Sequence, residues 1–311
     1  MDEEAMKRFH ALPEPDLKED ILQHIQKKQD GYYFMNRPDG SCVMLDPDGL
    51  CRIQRNSSEE MLCITCRKFP RLAGRVQQDY WMSMAASCPV TAGYLWMRTV
   101  GWYMTDGEIS QEIHWRELPY DKERKEGLEW FMDFFEKRSA AVSLSMEERI
   151  PLLWNAYQRM YDLMEGCLEI LSSSPELHYL EGSFDYFEKD YGAAEIISHM
   201  MAFQEIYGGK LRDFAKNYML YRVYSRNLEF PEEAAGDSFF AVSGELFLFY
   251  ILRFSRYQIM HRDDQTSVAA EINWMYRFCA HSRIRSRKFM TVLKEIFKNL
   301  EYLAEIIIRI S

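Results

Sequence analysis

The residues with the clearest chemical potential are cysteines that crowd into the N-terminal part of the sequence. Five of the seven cysteines follow the pattern C-x8-C-x11-C-x2-C-x21-C. Two thiolates separated by two residues can bind one metal ion, because the turn between them aims both sulfur atoms inward. Four soft thiolates suit zinc or an iron–sulfur cluster better than magnesium or calcium. The predicted ligands are Cys42, Cys51, Cys63, Cys66 and Cys88.

Two other interpretations of these cysteines stay open from the residues alone. Unligated cysteine behaves as a small apolar side chain, so the thiols could simply be buried. The pair in Cys63–Cys66 could be a redox dithiol, but no clear strand precedes it and no βαβ pattern surrounds it. Cys167 and Cys279 stand on apolar helical faces, and we predict that both are core residues.

Turns must bring the cysteines together, because loops are predicted to dominate the sequence from Asp30 to Cys88. Short aromatic or apolar pieces alternate there with turn-forming residues. PDG sequences at Pro38–Gly40 and Pro47–Gly49 stand just before Cys42 and Cys51. These turns are the local elements expected to position the thiols.

Helical periodicity dominates the flanking sequence. Leu17, Ile21 and Ile25 recur at four-residue spacing and predict an entry helix. Near residue 100 the composition changes to long apolar periodicities. Helices are predicted at residues 153–171, 182–206, 211–226, 242–260 and 289–307, with a break at Gly208-Gly209 and a short hairpin around Thr105. We therefore predict a mainly α protein, with a cysteine-rich, loop-dominated module at residues 1–100 and a helical domain at residues 101–311.

The bulk composition limits the class of partner. The 311 residues carry a formal net charge of -10, with a pI near 5.3, so binding to nucleic acid or to an anionic membrane is disfavoured. The N-terminus is charged from its second residue and has no signal-peptide pattern. The longest apolar runs are too short to cross a bilayer. These features predict a cytoplasmic protein, where clustered cysteines are more often ligands than disulfides.

The order of residue types around the cysteines resembles the flagellin lysine-N-methylase family. Members carry a series written dGsC-fL-GLC-iq-LC-tCR-fPR-sCP, and residues 31–92 follow its order and spacing. A weaker similarity joins NYMLYRVY, residues 217–224, to a helix of that family. The matching residues of the main series are Gly40, Cys42, Leu45, Gly49, Leu50, Cys51, Leu62, Cys63, Cys66, Arg67, Phe69, Pro70, Arg71, Cys88 and Pro89.

This resemblance implies an enzyme that transfers methyl groups from S-adenosylmethionine to lysine ε-amines of flagellin, or of another lysine-bearing protein. It also implies cysteines that hold an iron–sulfur cluster, of the 4Fe-4S type, with zinc as the alternative. Family members usually carry a further cysteine-rich segment ahead of this region, which the present sequence does not contain. The alternative function is a non-catalytic metal-binding or iron–sulfur-binding scaffold.

The methyl-donor site has no familiar motif in this sequence. No G-x-G-x-x-G loop stands between a strand and a helix, and no C-x3-C-x2-C of radical enzymes occurs. A basic group follows Cys66, and its Arg67 and Arg71 are the predicted ligands for a donor carboxylate. A solvated basic face is the other explanation. Acidic and tyrosine side chains near the cysteines, among them Asp46 and Asp48, could deprotonate lysine, but nothing ranks them as the catalytic base.

Overall fold

The described part of the chain packs as two compact units. The computed structural model describes residues 3–28, 31–35, 37, 42–48, 50–76, 79–97, 116–117, a few positions between 122 and 133, 193–230, 232–260, 265–280 and 283–297. The first unit ends at Phe69, and the described residues from Pro70 onward form the second. The division predicted at residue 100 stays a prediction, since residues 98–115 lie outside the described part. The helices predicted at 153–171 and the hairpin around Thr105 lie outside it too.

Short elements build the first unit. Its core joins Phe9 of the first helix and Ile21 of the second to Met44 and Ile53 farther along the chain. The apolar faces of these short helices are narrow, so loop residues complete the core. The elements are α1 (Glu3–His10), α2 (Pro15–Gln23), an antiparallel pair β1 (Ile25–Lys28) and β2 (Gly31–Phe34), α3 (Arg52–Asn56), a 3-10 turn (Glu59–Met61) and α4 (Ile64–Lys68).

Long helices dominate the second unit, and the predicted mainly α fold class is confirmed. One face of a small sheet packs on the long helix α6, with Trp81 against Tyr224 at 4.6 Å between ring centres. The elements are β3 (Arg71–Val76), β4 (Asp79–Met84), α5 (Pro89–Met97), β5 (Arg116–Glu117), α6 (Ala193–Glu229), α7 (Ala235–Met260), α8 (Gln265–Ala280) and α9 (Arg283–Ile296). Strand β3 lies between β4, which is antiparallel to it, and β5, which is parallel.

The predicted break at Gly208-Gly209 is wrong, because α6 runs unbroken through both glycines. Glycine in a helix interior costs about 1 kcal/mol relative to alanine, and it adds no steric obstacle. Apolar residues on either side, such as Phe203 and Phe214, are buried in the core of the unit. Tertiary packing along the whole helix therefore outweighs the local cost of the glycine pair.

Two further local predictions need correction. The entry helix ends at Gln23, and Ile25 instead begins strand β1, where it pairs with Phe34. The loops expected up to Cys88 include a regular hairpin of β3 and β4, in which Arg71 pairs with Met84. Arginine and glycine within β3 obscure its alternation of apolar and polar residues, so pairing with β4 decides the strand.

A buried carboxylate links the two longest helices. Glu245 of α7 is fully buried and accepts hydrogen bonds from two arginines of α6: Arg222 Nε lies 2.9 Å from its Oε2, and Arg226 Nη1 lies 3.0 Å from its Oε1. The hydroxyl of Tyr218 also donates to Oε2, at 2.8 Å. Both arginines are fully buried as well, so each charge depends on these partners.

Other carboxylates complete the pairing of the two arginines. Arg222 Nη1 donates to Glu229 at 2.7 Å, and its guanidinium stacks 4.7 Å from the ring centre of Tyr276 on α8. Arg226 donates to both oxygens of Glu233, at 2.6 Å and 2.8 Å. Bidentate geometry of this kind fixes orientation as well as charge. The network thus holds the end of α6 to the chain that follows it.

Within the described residues, the segment Ala235–Gln258 of α7 has the length and composition of a membrane span, with a mean hydropathy of 1.3 over its most apolar window. In that window 89% of the residues are buried inside the protein. The core helix of a globular protein passes the same test, so this match is weak evidence for a span.

Replacing Glu245 by glutamine should strongly destabilise the second unit. The amide keeps the size of the side chain but removes the charge that two buried guanidinium groups require. Removing one partner of a buried ion pair costs about 3–5 kcal/mol. Chemical unfolding would measure this loss. Asp237→Asn is the matched control, since Asp237 pairs with Lys294 on the exposed surface and should contribute at most about 1 kcal/mol. Equal losses for the two variants would contradict the assignment.

Replacing Gly244 by alanine should destabilise the contact between α7 and α9. A Cβ atom at this position would overlap the side chain of Leu293, which is fully buried. Overpacking of this kind costs about 1–3 kcal/mol. Gly209→Ala serves as the control, because a Cβ there meets nothing within 4 Å and should stabilise α6 by up to about 1 kcal/mol. Thermal unfolding of both variants would test the difference in sign.

Candidate metal centre

The closest approach between cysteines is at the start of α4. Cys63 precedes the first residue of this helix and is buried, whereas Cys66 lies within the helix on its exposed side. One helical turn brings the two sulfur atoms to 3.5 Å, within hydrogen-bonding distance for thiols. The spacing of two residues therefore produces the sulfur pair that the sequence predicts.

A turn before Cys51 positions the next thiol. The N–H of Asp46 donates to the carbonyl of Leu50 at 2.8 Å, and Leu45 forms a β-bridge with Cys51. The predicted turn at Pro47–Gly49 is confirmed in its described residues. It returns the chain beside the segment that begins at Cys42. The turn predicted at Pro38–Gly40 lies outside the described residues.

Four thiols belong to one part of the first unit: Cys63 is buried in its apolar core, Cys42 and Cys51 pack against that core, and Cys66 lies beside Cys63. Hydrogen bonding with Cys66 lowers the pKa of Cys63 to about 6. The pKa of Cys66 is raised by that same bond and by negative charge on Cys63, Cys42 and Cys51. Burial also raises the pKa of Cys42, whereas a hydrogen bond from the N–H of Met44 acts in the opposite direction.

Two arginines fix the backbone that carries Cys42 and Cys51. Arg52 Nη2 donates to the carbonyl of Val43 at 2.9 Å, and its Nη1 pairs with Asp20 of α2 at 2.8 Å. Arg37 donates to the carbonyls of Val43 and Leu45. Neither arginine can be identified from the sequence, because their partners are main-chain carbonyls that leave no pattern of residue types.

The four thiols are side chains of a type that binds metals, but their arrangement is not that of a finished metal site. Within the described ranges, no group of three or more His, Cys, Asp or Glu side chains is spaced to hold a metal ion. The Cys63 and Cys66 sulfur atoms do fit, since tetrahedral zinc with bonds of about 2.3 Å separates neighbouring sulfur ligands by roughly 3.8 Å. Thiol donors of this kind suit zinc or an iron–sulfur cluster.

The remaining predicted site residues occupy different elements. Cys88 belongs to the second unit, where it is half-buried at the start of α5 and its N–H donates to the carbonyl of Ala85 at 3.0 Å. Arg67 lies on α4. A hydrogen bond from Ser58 lowers the pKa of the nearby Glu60, and the charge of Arg67 makes a smaller contribution in the same direction. Arg71 is exposed at the start of β3. That Arg67 and Arg71 together bind the carboxylate of the methyl donor stays a prediction.

Two of the acidic residues near the cysteines in sequence are engaged in ion pairs. Arg55 donates to Asp46 at 2.8 Å and also binds Asp48. Hydrogen bonding to Arg55 lowers the pKa of Asp48. A carboxylate with a lowered pKa is a weaker base, so Asp48 is poorly suited to deprotonate lysine.

The buried charges of the second unit are not among the site residues predicted from the sequence. Tyr218 and Arg222 fall inside the NYMLYRVY stretch, whose similarity had been noted without a role for either residue. A detectable signal was present, because Tyr218, Arg222 and Arg226 recur every four residues among apolar neighbours. Polar residues on a buried helical face require buried partners.

Comparison with known proteins gives no family assignment: no family model matches the chain, and neither the curated proteins nor the solved structures contain a match.

Proposed function

We propose that this chain is a protein-lysine N-methyltransferase whose N-terminal cysteines hold an iron–sulfur cluster, with zinc as the alternative metal. S-adenosylmethionine is the methyl donor, and flagellin or another lysine-bearing protein is the acceptor. The clustering of Cys42, Cys51, Cys63 and Cys66 in the first unit carries the proposal. Its support for methyl transfer comes from the resemblance of the residues around those cysteines to the lysine-N-methylase series.

The proposed metal has a structural role in the first unit. Cys63 and Cys66 would hold it from α4, while Cys42 and Cys51 would hold it from the segments fixed by Arg52. When bound, the metal or cluster supplies a cross-link between these segments, which otherwise share a small apolar core.

The methyl transfer itself sets a second requirement. The acceptor lysine, with a reference pKa of about 10.4, must lose a proton and align with the donor methyl group.

The alternative proposal is a non-catalytic metal-binding or iron–sulfur-binding scaffold. One observation favours it over an enzyme: Asp46 and Asp48, two of the carboxylates considered as bases, are paired with Arg55. Such pairs stabilise the loop beside Cys51 rather than leave a base poised for proton transfer. A scaffold would retain the metal and lack methyl transfer.

The proposed function predicts that the purified protein contains metal. Protein purified without oxygen should contain iron and sulfide, or zinc, and the double variant Cys63→Ser, Cys66→Ser should lose nearly all of it. Removing two of four thiolates leaves too few soft ligands for either group. Iron, sulfide and zinc assays on the same samples provide the measurement.

Cys279→Ala is the matched control for these variants, because Cys279 is buried in the core of the second unit and lies outside the cluster. It should retain the full metal content. Cys88→Ser then tests the fifth predicted ligand separately. Wild-type protein that contains no iron, sulfide or zinc, and whose thiols are all free, would exclude the metal centre.

The proposed function also predicts methyl transfer to lysine. Wild-type protein with its metal should transfer labelled methyl groups from S-adenosylmethionine to lysines of flagellin, and the double cysteine variant should lose most of this activity. Mass spectrometry of the acceptor would identify the modified lysines. Flagellin with chemically blocked lysines is the acceptor control. Full metal occupancy without transfer to any lysine-bearing protein would favour the scaffold.

A further inference from the structure

The sulfur pair at the start of α4 is open to solvent at one of its two members. Cys66 is exposed, whereas Cys63 is 4% exposed and belongs to the apolar core of the first unit. Both cysteines are free, and their sulfur atoms lie 3.5 Å apart. A small oxidant in solution can therefore reach the pair through Cys66, while the core shields Cys63.

The geometry of the pair is also close to that of a disulfide. The chain is extended at Cys63, with ψ at 157°, and becomes helical at Ile64, so one helical turn joins Cys63 to Cys66. Residues three apart on such a turn are neighbours. A covalent S–S bond measures about 2.05 Å, so the two sulfur atoms need to approach by only about 1.5 Å. Rotation of the side chains supplies a movement of this size.

The other two thiols of the first unit lie on segments that are fixed by their own contacts. Arg52 donates to the carbonyl of Val43, next to Cys42, and Cys51 forms a β-bridge with Leu45. Bonding between the two cysteines of α4 disturbs none of these contacts, because it takes place within a single turn. Oxidation is therefore expected to join Cys63 to Cys66.

We propose that Cys63 and Cys66 close into a reversible disulfide on exposure to hydrogen peroxide, and that this bond prevents the proposed centre from binding metal. The inference rests on the proposed function, because it describes the regulation of that same centre. Metals are bound by thiolate sulfur, which a disulfide no longer provides. The oxidised centre keeps only Cys42 and Cys51 as ligands, too few for zinc or an iron–sulfur cluster.

The oxidation proceeds in two balanced steps. One sulfur of the pair attacks hydrogen peroxide: an S–O bond forms, the O–O bond breaks, and the first water leaves with the proton of that thiol. The second sulfur then attacks the oxidised one. The S–S bond forms, the S–O bond breaks, and the second water leaves with the remaining thiol proton. The two sulfur atoms lose one electron pair in total, and peroxide is reduced to two molecules of water.

Peptide mapping of the full chain tests the disulfide directly. Trypsin cleaves after Arg55 and Arg67, so the peptide Asn56–Arg67 carries Cys63 and Cys66 and no other cysteine. After peroxide treatment and alkylation in denaturant, this peptide should be two hydrogen atoms lighter than the dithiol and should carry no alkyl group. Dithiothreitol added before alkylation should restore both alkylation sites. The peptide of residues 76–98, which contains Cys88 alone, is the internal control and should remain alkylated.

Zinc uptake tests the effect of the disulfide on the centre. Protein that has been oxidised first should lose nearly all of its zinc uptake, and reduction, followed by removal of the reductant, should restore it. In the opposite order, bound metal should slow the oxidation, because both sulfur atoms are then engaged. Cys279→Ala is the matched control and should behave as the wild type does in both assays, since Cys279 is buried in the core of the second unit.

A peptide Asn56–Arg67 that stays fully alkylated after peroxide treatment, or that gains only sulfinic and sulfonic acids, would overturn the inference. Zinc uptake that is the same before and after disulfide formation would overturn it as well. The two assays separate this failure from failure of the proposed function. Metal binding and methyl transfer without any disulfide would remove the regulation and leave the enzyme. A disulfide that forms in a protein unable to take up metal, even when reduced, would remove the metal centre and leave a redox pair.

Discussion

The carboxylate of Glu245 is the constraint on which the second unit depends. It stands between Arg222 and Arg226, and none of these three side chains is exposed to solvent. Charges buried in this way have a large desolvation cost, which close pairing offsets only in one geometry. The pairing therefore fixes the register of α6 against α7, and through Glu233 it extends to the turn between them.

The first unit solves a different problem, because its elements are too short to build a large core. Its loops are fixed by arginine side chains that bind main-chain carbonyls, and Arg52 also joins them to α2 through Asp20. Thiols from separate loops are thereby gathered beside α4. Cys63 and Cys66 already have the spacing of metal ligands, and the coupling among the four thiols disfavours more than one negative charge unless a cation neutralises them.

Predictions from the sequence agreed with the structure where an interaction joins residues close together in the chain, and failed where it joins residues far apart. The turn before Cys51 and the Cys63–Cys66 pair depend on a few adjacent residues, and both were predicted. Gly208-Gly209 was taken for a break because local propensity disfavours glycine in helices, yet packing along α6 prevailed. The hairpin containing Arg71 was missed, because strand pairing between β3 and β4 supplies what its weak alternation of residue types does not.

The sequence by itself determined the mainly α class and the density of thiols near the N-terminus. Each of these is written in composition, periodicity or short spacing. Only the tertiary structure decided that Cys42, Cys51 and Cys63 share the apolar core of the first unit while Cys88 belongs to the second unit. Periodicity identifies the face of a helix that is buried, but the partner of that face is set by contacts between residues far apart in the chain.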